Sequence, residues 1–431
     1  MKEIGIGLLG FGTVGAGVVE GIQKNSHLIA RRLGVKLALR RLADLDLESD
    51  RGVRVDPAIM TRNAREAIHD PSVDVVVELI GGTGVARDFI RESIEAGKPV
   101  VTANKALLAE HGRELFELAA RKGVPMGFEA SVGGGIPIIR ALREGLVADR
   151  INAIFGILNG TCNYILTRME QENLAFDDAL VAAQKEGYAE ANPGLDIDGH
   201  DTAHKAAVLA TLAFGSAVPL RNIVVRGIRG LAKADMDYAL GLGYRVKLLA
   251  VIRRRGAALD IRVHPALLPL DHVLSSVSGV YNAILIESDM AGRTLYYGRG
   301  AGRLPTASAV LSDISSIARA ICFDGRHALP SLPRLSDRGL RIAGAAQSES
   351  RFYLRMALSD RPGVLGRLAT ILGRHNVSIA SVLQQEGRSG RCVPVVILTH
   401  RAKERDVGRA VALIDRLRLV GSRTVSLRIE D

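Results

Sequence analysis

The sequence predicts an α/β protein in three consecutive parts: a doubly wound parallel sheet, a middle α+β region with a mixed or antiparallel sheet, and a small β-α-β-β-α-β unit. Three observations carry this. Short β-branched runs alternate with amphipathic helices up to about residue 130. Between residues 244 and 300, strand candidates follow one another with only short turns. Beyond residue 350, one helix separates the first two strand candidates and another separates the last two.

Taken in order, EIGIGLLG (3–10) is an apolar strand that runs into a glycine turn and a helix through Ile22. VKLALRRLA (35–43) is the second strand, and VDVVVELIGG (73–82) a buried one by its β-branched run. ARDFIRESIEAGK (86–98) is an amphipathic helix ending at Gly97. PVVTANK (99–105) is a strand, and the helix of residues 106–123 is stopped by glycine. VPMGFEAS (124–131) closes the series. INAIFGILNG (151–160) opens the middle part, with two helices between Cys162 and Gly187. Residues 244–255, 259–268, 280–288 and 293–300 are successive strands of the kind that form a dimerisation surface, and the helix of residues 306–321 returns to the first domain. A Pro/Ser/Ala-rich connector occupies residues 331–349. These readings divide the chain into 1–135 with a return segment at about 305–330, 136–304, the linker, and 350–431.

Composition narrows the function classes. The net charge of +11 invites a nucleic-acid partner, but residues 351–431 hold fifteen Lys/Arg against seven Asp/Glu, spread along the segment rather than blocked. With aromatics at only 4%, stacking residues are scarce, and a solvated arginine-rich surface is the expectation. Cys162, Cys322 and Cys392 show neither disulfide nor metal spacing, which fits a reducing cytoplasm. The glycine-punctuated start is a strand and turn, not a signal peptide. No uncharged apolar run approaches the ~20 residues needed to span a bilayer.

Two constellations carry chemistry. GFGTVG supplies Gly10, Gly12 and Gly15 around Phe11, Thr13 and Val14, after a strand and at the opening of a helix, as a dinucleotide site requires. The first glycine allows the tight turn, the second admits a pyrophosphate, and the third permits close packing, while the helix N-terminus favours the anion. Asp44, ending the second strand, suits the ribose hydroxyls of NAD; Arg40 and Arg41 just before it suit the 2′-phosphate of NADP. The interval from Gly10 to Asp44 exceeds the usual ~20 residues, so both remain open, with a lean to NAD.

The second constellation is DIDGHDTAHKAAVLATLAF (196–214). From Ala206 to Phe214 only Thr211 is polar, so this helix is buried on most sides. Its first turns nevertheless carry Asp201 and Lys205, four apart and on one face with Val208, Leu209 and Leu212. Glu190, Asp196 and Asp198 lie just upstream. Carboxylates keep such a lysine charged while desolvation pulls its pKa down from ~10.4, which makes it a proton donor to an oxyanion-forming carbonyl.

The stretch AQKEGYAEANPGLDIDGHDTAHK (183–205) resembles the signature of homoserine dehydrogenases. TANKALLA, FEASVGGGIPII, GILNGTCNYIL, GRGAGRLPTASAV and DRPGVL resemble further family segments in family order, so that the likeness covers essentially the whole chain. Only residues between Gly21 and Arg54 match loosely. The resemblance implies reversible, NAD(P)-dependent reduction of L-aspartate 4-semialdehyde to L-homoserine. It implies Lys205 as proton donor, Asp201 as the group that positions it, and Lys105 as a second lysine near nicotinamide and substrate. Glu190, Asp196, Gly160 and Thr161 are implied to hold the substrate, whose ammonium suits carboxylates. A sodium-like cation is implied on the carbonyls of Glu129, Val132, Gly134 and Ile136. Gly300 and Gly302 can bring backbone close to the cofactor, or simply form a β-turn.

The last, ferredoxin-like unit resembles an ACT domain. Asp360, Pro362, Gly363, Val364 and Leu365 open a helix whose free N–H groups can meet a carboxylate. The implied effector is L-threonine; a purely structural or dimerising role is the alternative. The family likeness also implies a homodimer or homotetramer, and with so little chain before Gly10 the expectation is a monofunctional enzyme without a kinase domain. Two rivals fit the glycine loop and the basic tail. Another ACT-bearing dehydrogenase would use a His–carboxylate pair, and a non-enzymatic nucleotide sensor would have no use for Lys205 and Glu190.

Overall fold

The computed structural model describes residues 2–322, 340–384 and 392–430. Part of the predicted return segment and the first part of the linker, residues 331–339, lie outside them. Along the chain run β1 (Lys2–Leu9), α1 (Thr13–Leu33), β2 (Val35–Ala43), β3 (Met60–Thr61), α2 (Ala64–His69), β4 (Val75–Glu78), α3 (Val85–Glu95), β5 (Val100–Thr102), α4 (Lys105–Lys122), β6 (Met126–Gly127), α5 (Ile138–Arg140), β7 (Ile151–Ile157) and α6 (Gly160–Gln171). Then come α7 (Phe176–Lys185), α8 (Gly194–Ile197), α9 (His200–Phe214), β8 (Val224–Val225), α10 (Lys233–Gly241), β9 (Tyr244–Arg255), β10 (Ala258–Pro269), β11 (Tyr281–Ser288), β12 (Arg293–Arg299) and α11 (Arg303–Cys322). The last stretch holds β13 (Arg341–Ile342), β14 (Glu349–Leu358), α12 (Val364–Arg374), β15 (Ile379–Gln384), β16 (Val393–Thr399), β17 (Ala402–Lys403), α13 (Glu404–Ile414) and β18 (Val420–Ile429).

The chain divides into two compact units. The first comprises Met1–Gly160, Asp201–Ile223 and Val280–Leu340; the second comprises Thr161–His200, Val224–Gly279 and Arg341–Asp431.

In the first unit, six parallel strands lie in the order β3-β2-β1-β4-β5-β6, the arrangement of a dinucleotide-binding sheet. Ile4, Ile6 and Leu8 of β1 alternate inward and meet Val75, Val77 and Val101. Helix α1 closes this core with Ala16, Val18 and Val19, and α11 returns beside it with Ala307, Val310, Ile314 and Ile317. Burying each such side chain contributes roughly 1.5–3 kcal/mol. Helix α1 continues past the predicted stop at Ile22 to Leu33, where Gly34, at φ 75°, ends it in the left-handed conformation. A second, antiparallel sheet of this unit has the order β12-β11-β7.

In the second unit β9 and β10 form a long antiparallel hairpin. Strand β10 also pairs in parallel with β18 through Ala266↔Arg428 and Leu267↔Ile429, so this sheet is mixed. From β18 it continues antiparallel through β14 and β16 to β15. Phe352, Leu354, Met356 and Leu358 alternate on one face of β14 and pack against Leu368 and Leu372 of α12 and Val407, Ala410 and Ile414 of α13. The predicted β-α-β-β-α-β unit is present, joined edge to edge to β10. Part of the predicted connector is ordered, since β13 pairs with β10. Asp235, fully buried at the start of α10, receives Arg355 Nε (2.6 Å) and Nη2 (2.9 Å) from β14 and the Tyr353 hydroxyl at 3.2 Å. Among the described residues no helix is long and apolar enough to cross a membrane.

Candidate active site

The glycine loop forms between β1 and α1. Gly10 has φ 99°, and a Cβ there would come within 2.6 Å of the Leu79 carbonyl oxygen. A Cβ on Gly15 would lie 2.2 Å from the Gly10 carbonyl oxygen. Gly12 differs: its φ is −68°, and a Cβ there would meet nothing within 4 Å. The fold itself does not demand glycine at that position, whereas an approaching pyrophosphate does. Gly12 gives α1 no side-chain cap, which leaves the first-turn N–H groups of Thr13 and Val14 for an anion. Phe11 is buried in the core and donates its N–H to the Asp44 carboxylate, which also accepts from Asp46 N at 2.9 Å.

Gly10, Gly12, Asp44, Arg62 and Asn63 are among the residues lining a cavity of about 400 Å³. Arg40 is placed elsewhere, ion-paired with Glu3 across β1 and β2, and does not line it. The cation on the cavity wall is Arg62, paired with Glu48 at 3.0 Å. Gly302, at φ 118°, accepts from Thr306 N at 3.0 Å and so caps the start of α11, outside that lining.

The acid–base cluster lies in the same unit. Helix α9 is buried along nearly its whole length, as its sequence predicts. Lys205 is 9% and Asp201 3% exposed. Lys205 Nζ donates to Asp201 Oδ2 at 2.6 Å and to the Leu158 carbonyl at 2.7 Å. Asn159 Nδ2, just past β7, donates to the same Asp201 oxygen at 2.9 Å. Lys105 is the first residue of α4, whose N-cap Asn104 accepts from Leu107 N; its Nζ lies 3.1 Å from Asp201 Oδ1. Burial pushes the Asp201 carboxyl up, but the charges of Lys205 and Lys105 and the hydrogen bonds from Lys205 and Asn159 outweigh it and hold the group well below the usual carboxylate range. An ammonium has three N–H groups. Lys205 spends two on these acceptors, which leaves one for an incoming oxygen. Two ammoniums against one carboxylate leave this cluster positive, the sign that stabilises a developing alkoxide.

The other predicted residues fall as follows. Gly160 belongs to the first unit, with the Val280 carbonyl oxygen 2.8 Å from where its Cβ would be. Thr161, Glu190 and Asp196 belong to the second unit. There Thr161 Oγ1 donates to the Tyr188 carbonyl (2.7 Å), the Asp196 carbonyl accepts from Cys162 Sγ (3.2 Å), and Glu190 is exposed. In the loop before α5 the Glu129 carboxylate is buried and accepts from Ile139 N (2.8 Å) and Arg140 N (2.9 Å), and its carbonyl accepts from Val132 N at 3.5 Å. Val132 and Ile136 are buried beside it, and Gly134 packs backbone to backbone against Gly300. Asp360, Pro362, Gly363, Val364 and Leu365 line a cavity of about 410 Å³ in the second unit, with Gly363 at φ 85°. The sequence reading missed Asn159 and Arg62. The first had a signal, since it adjoins Gly160. The second had none, because it follows an irregular stretch.

Three family models match the chain in sequence. The first is described as the homoserine dehydrogenase NAD binding domain (residues 10–129), the second as homoserine dehydrogenase (137–315), and the third as the ACT domain (352–419). The homoserine dehydrogenase of Neisseria gonorrhoeae is 44% identical, over 100% of this chain and 99% of its own. That of Pseudomonas aeruginosa is 42% identical with the same coverage. Among solved structures, a homoserine dehydrogenase from Thiobacillus denitrificans superposes with a TM-score of 0.93 at 42% identity, covering 100% of this chain and 99% of that one. A hyperthermophilic archaeal homoserine dehydrogenase in complex with NADPH matches with a TM-score of 0.64 at 28% identity, over 77% of this chain and 99% of its own.

Because the folded-state titration of Asp201 lies below that of an unfolded aspartate (~3.9), its contribution is fully present above that value and lost as pH falls through the lower, folded one. Asp201→Asn leaves buried ammonium uncompensated and is expected to cost about 3–5 kcal/mol at pH 7. Urea unfolding should show the gap to the parent protein narrowing below about pH 4; a gap constant from pH 7 to pH 3 would refute this account of the charge balance.

Proposed function

The chain belongs to the homoserine dehydrogenase family, NAD(P)-dependent oxidoreductases acting on a CH–OH group, and from that premise we propose which of its residues perform the interconversion of L-aspartate 4-semialdehyde and L-homoserine. Lys205 is the proton donor to the aldehyde oxygen and, in reverse, the base that takes the hydroxyl proton. One observation carries this: its buried ammonium is aimed by Asp201 and the Leu158 carbonyl, with one N–H unspent. NAD(P)H, when bound, supplies the hydride. Asp201 keeps Lys205 oriented, and Lys105, on the other oxygen of the same carboxylate, adds positive charge beside the developing alkoxide. Glu190 and Asp196 hold the substrate ammonium, and Gly160 and Thr161 contact the rest of it.

Gly10 to Gly15 cradle the pyrophosphate and Asp44 faces the ribose. Arg62, not Arg40, is the cation on the wall of that cavity, which supports it as the partner of a 2′-phosphate and shifts the preference toward NADP. A sodium-like cation on the carbonyls of Glu129, Val132, Gly134 and Ile136 fits a loop in which the Glu129 carboxylate is already engaged. The cavity beside Gly363 is of a size for an amino acid, and L-threonine is the effector we assign to it. The exposed Leu295 and Tyr297 on the edge strand β12 support a homodimer or homotetramer. Among the described residues Cys162, Cys322 and Cys392 form no disulfide, which supports a cytoplasmic setting.

Lys205→Ala is expected to fold and bind cofactor while kcat falls by roughly 10²–10⁴, as measured by NADPH oxidation with aspartate semialdehyde; undiminished turnover removes Lys205 from the chemistry. Arg62→Ala should raise KM for NADPH by about tenfold, the order of one lost charge-assisted contact, and leave that for NADH alone. Equal effects on both coenzymes would mean Arg62 does not read the phosphate. Threonine should inhibit the parent protein. Turnover indifferent to threonine would withdraw the effector assignment and leave the catalytic one intact.

A further inference from the structure

The start of strand β9 carries two cations, Arg245 and Lys247, two residues apart and therefore on one face. Both grip the same pair of neighbours. Arg245 Nε donates to Glu170 of α6, at 2.8 and 2.9 Å from its two oxygens, and Nη1 donates to the Ser275 carbonyl at 3.1 Å. Lys247 Nζ donates to Asn163 Oδ1 of α6 at 3.3 Å and to the Val277 carbonyl. Asn163 in turn donates Nδ2 to the carbonyls of Val277 (3.2 Å) and Gly279 (3.0 Å). One turn further on, Thr167 Oγ1 accepts from Gly279 N at 3.0 Å. The loop 275–279 is thereby laced to the first three turns of α6 by residues reaching from β9.

Lys247 is 2% and Asn163 1% exposed. Among the described residues the Lys247 ammonium forms no ion pair. It is met by an amide and a carbonyl oxygen, while Glu170 is spent on Arg245. Burial pushes it down to about 8, with Glu170 drawing it up and Arg245 lowering it further. A methionine of similar length would fill such a slot without desolvating a charge, so the cation answers a need that packing does not. Its donors are what it adds, and they all end on the start of α6 and the loop beside it. Thr161 stands in the first turn of that helix, two residues from Asn163.

We propose that Lys247 is a positioning residue of the dehydrogenase, holding the first turn of α6 so that Thr161 meets the substrate. The inference rests on the reading of Thr161 as a substrate contact. Lys247 itself touches neither substrate nor cofactor; it acts through Asn163 and the loop carbonyls.

The test compares full-length Lys247→Met, Thr167→Val and Thr161→Ala with the parent protein, measuring kcat, KM for aspartate semialdehyde, KM for NADPH and the thermal midpoint. In Lys247→Met the semialdehyde KM rises fivefold or more, with the NADPH KM within twofold of the parent. A semialdehyde KM within twofold of the parent overturns the proposal, as does an equal rise in both KM values, which marks general loosening. Should Lys247→Met fail to fold, Thr167→Val decides: a threefold rise confined to the semialdehyde KM supports the proposal, and no rise overturns it. Thr161→Ala separates the two possible failures. An unchanged semialdehyde KM there defeats the substrate reading itself, and with it this inference. A raised one, with Lys247→Met silent, defeats only the role of Lys247.

Discussion

The site is organised by one carboxylate divided between two ammoniums. Asp201 gives Oδ2 to Lys205 and Asn159 and Oδ1 to Lys105. Three elements, α9, α4 and the end of β7, are thereby fixed to a single anion. Each interaction alone is modest, but the group is buried, and in a low-dielectric interior the pairs reinforce one another. Without the carboxylate, the Lys205 ammonium would be a desolvated cation with one carbonyl for company. Without the lysines, the carboxylate would be driven to take a proton. The geometry that aims Lys205 and the electrostatics that keep it paired therefore have one origin.

That arrangement depends on which segments return to the parallel sheet. Helix α9 lies in the stretch read from sequence as the catalytic domain, yet from Asp201 onward it belongs by contact to the unit that carries the glycine loop. Helix α11 does the same and packs beside α1 in one hydrophobic core. Lys205 and the glycine loop are thus parts of one compact body. Precision of this kind matters in a hydride transfer, where an ångström of misplacement is costly. Asp313, on α11, shows how far the return is specified. It is buried, its carboxylate accepts from Glu129 N at 2.8 Å, and desolvation, with Glu129 adding to it, pushes it up to about 7.

What the sequence made legible follows from how local each signal is. Strands β2 and β9 were read to the residue because their patterns are bounded by clear turns. Helix α1 runs eleven residues past the expected end at Ile22, since nothing local in the chain marks Gly34, at φ 75°, as the terminator. The last strand of the parallel sheet was read too long, because beyond Gly127 the chain turns into a short helical loop whose first N–H is taken by Asp313. Residues 44–61 have no hydrophobic period. They are shaped by Asp46, Asp50 and Asp56 accepting N–H groups two or three residues on. That is why Arg62 could not be foreseen at the cavity. Asp201 and Lys205 were visible as a helical pair, whereas Lys105 meets them only through tertiary structure and entered by resemblance alone.

The chain's choice of cations carries a further argument. It holds forty-six arginines and only eleven lysines, so arginine is its default positive charge. Where it buries an arginine, as at Arg262, a carboxylate oxygen of Asp260 stands 2.7 Å away. Lys205 and Lys247 break the default in two different ways. Lys205 has a compact head that spends two N–H groups on fixed acceptors and leaves a third unspent, and an ammonium can give up a proton where a guanidinium in proteins does not. Lys247 needs a head small enough to bond an amide oxygen and a loop carbonyl at once in a closed space, where a planar five-donor fork would leave N–H groups unpaired. In an arginine-rich protein, a buried lysine therefore marks a place where the shape of the donor, or the mobility of its proton, is what the structure uses.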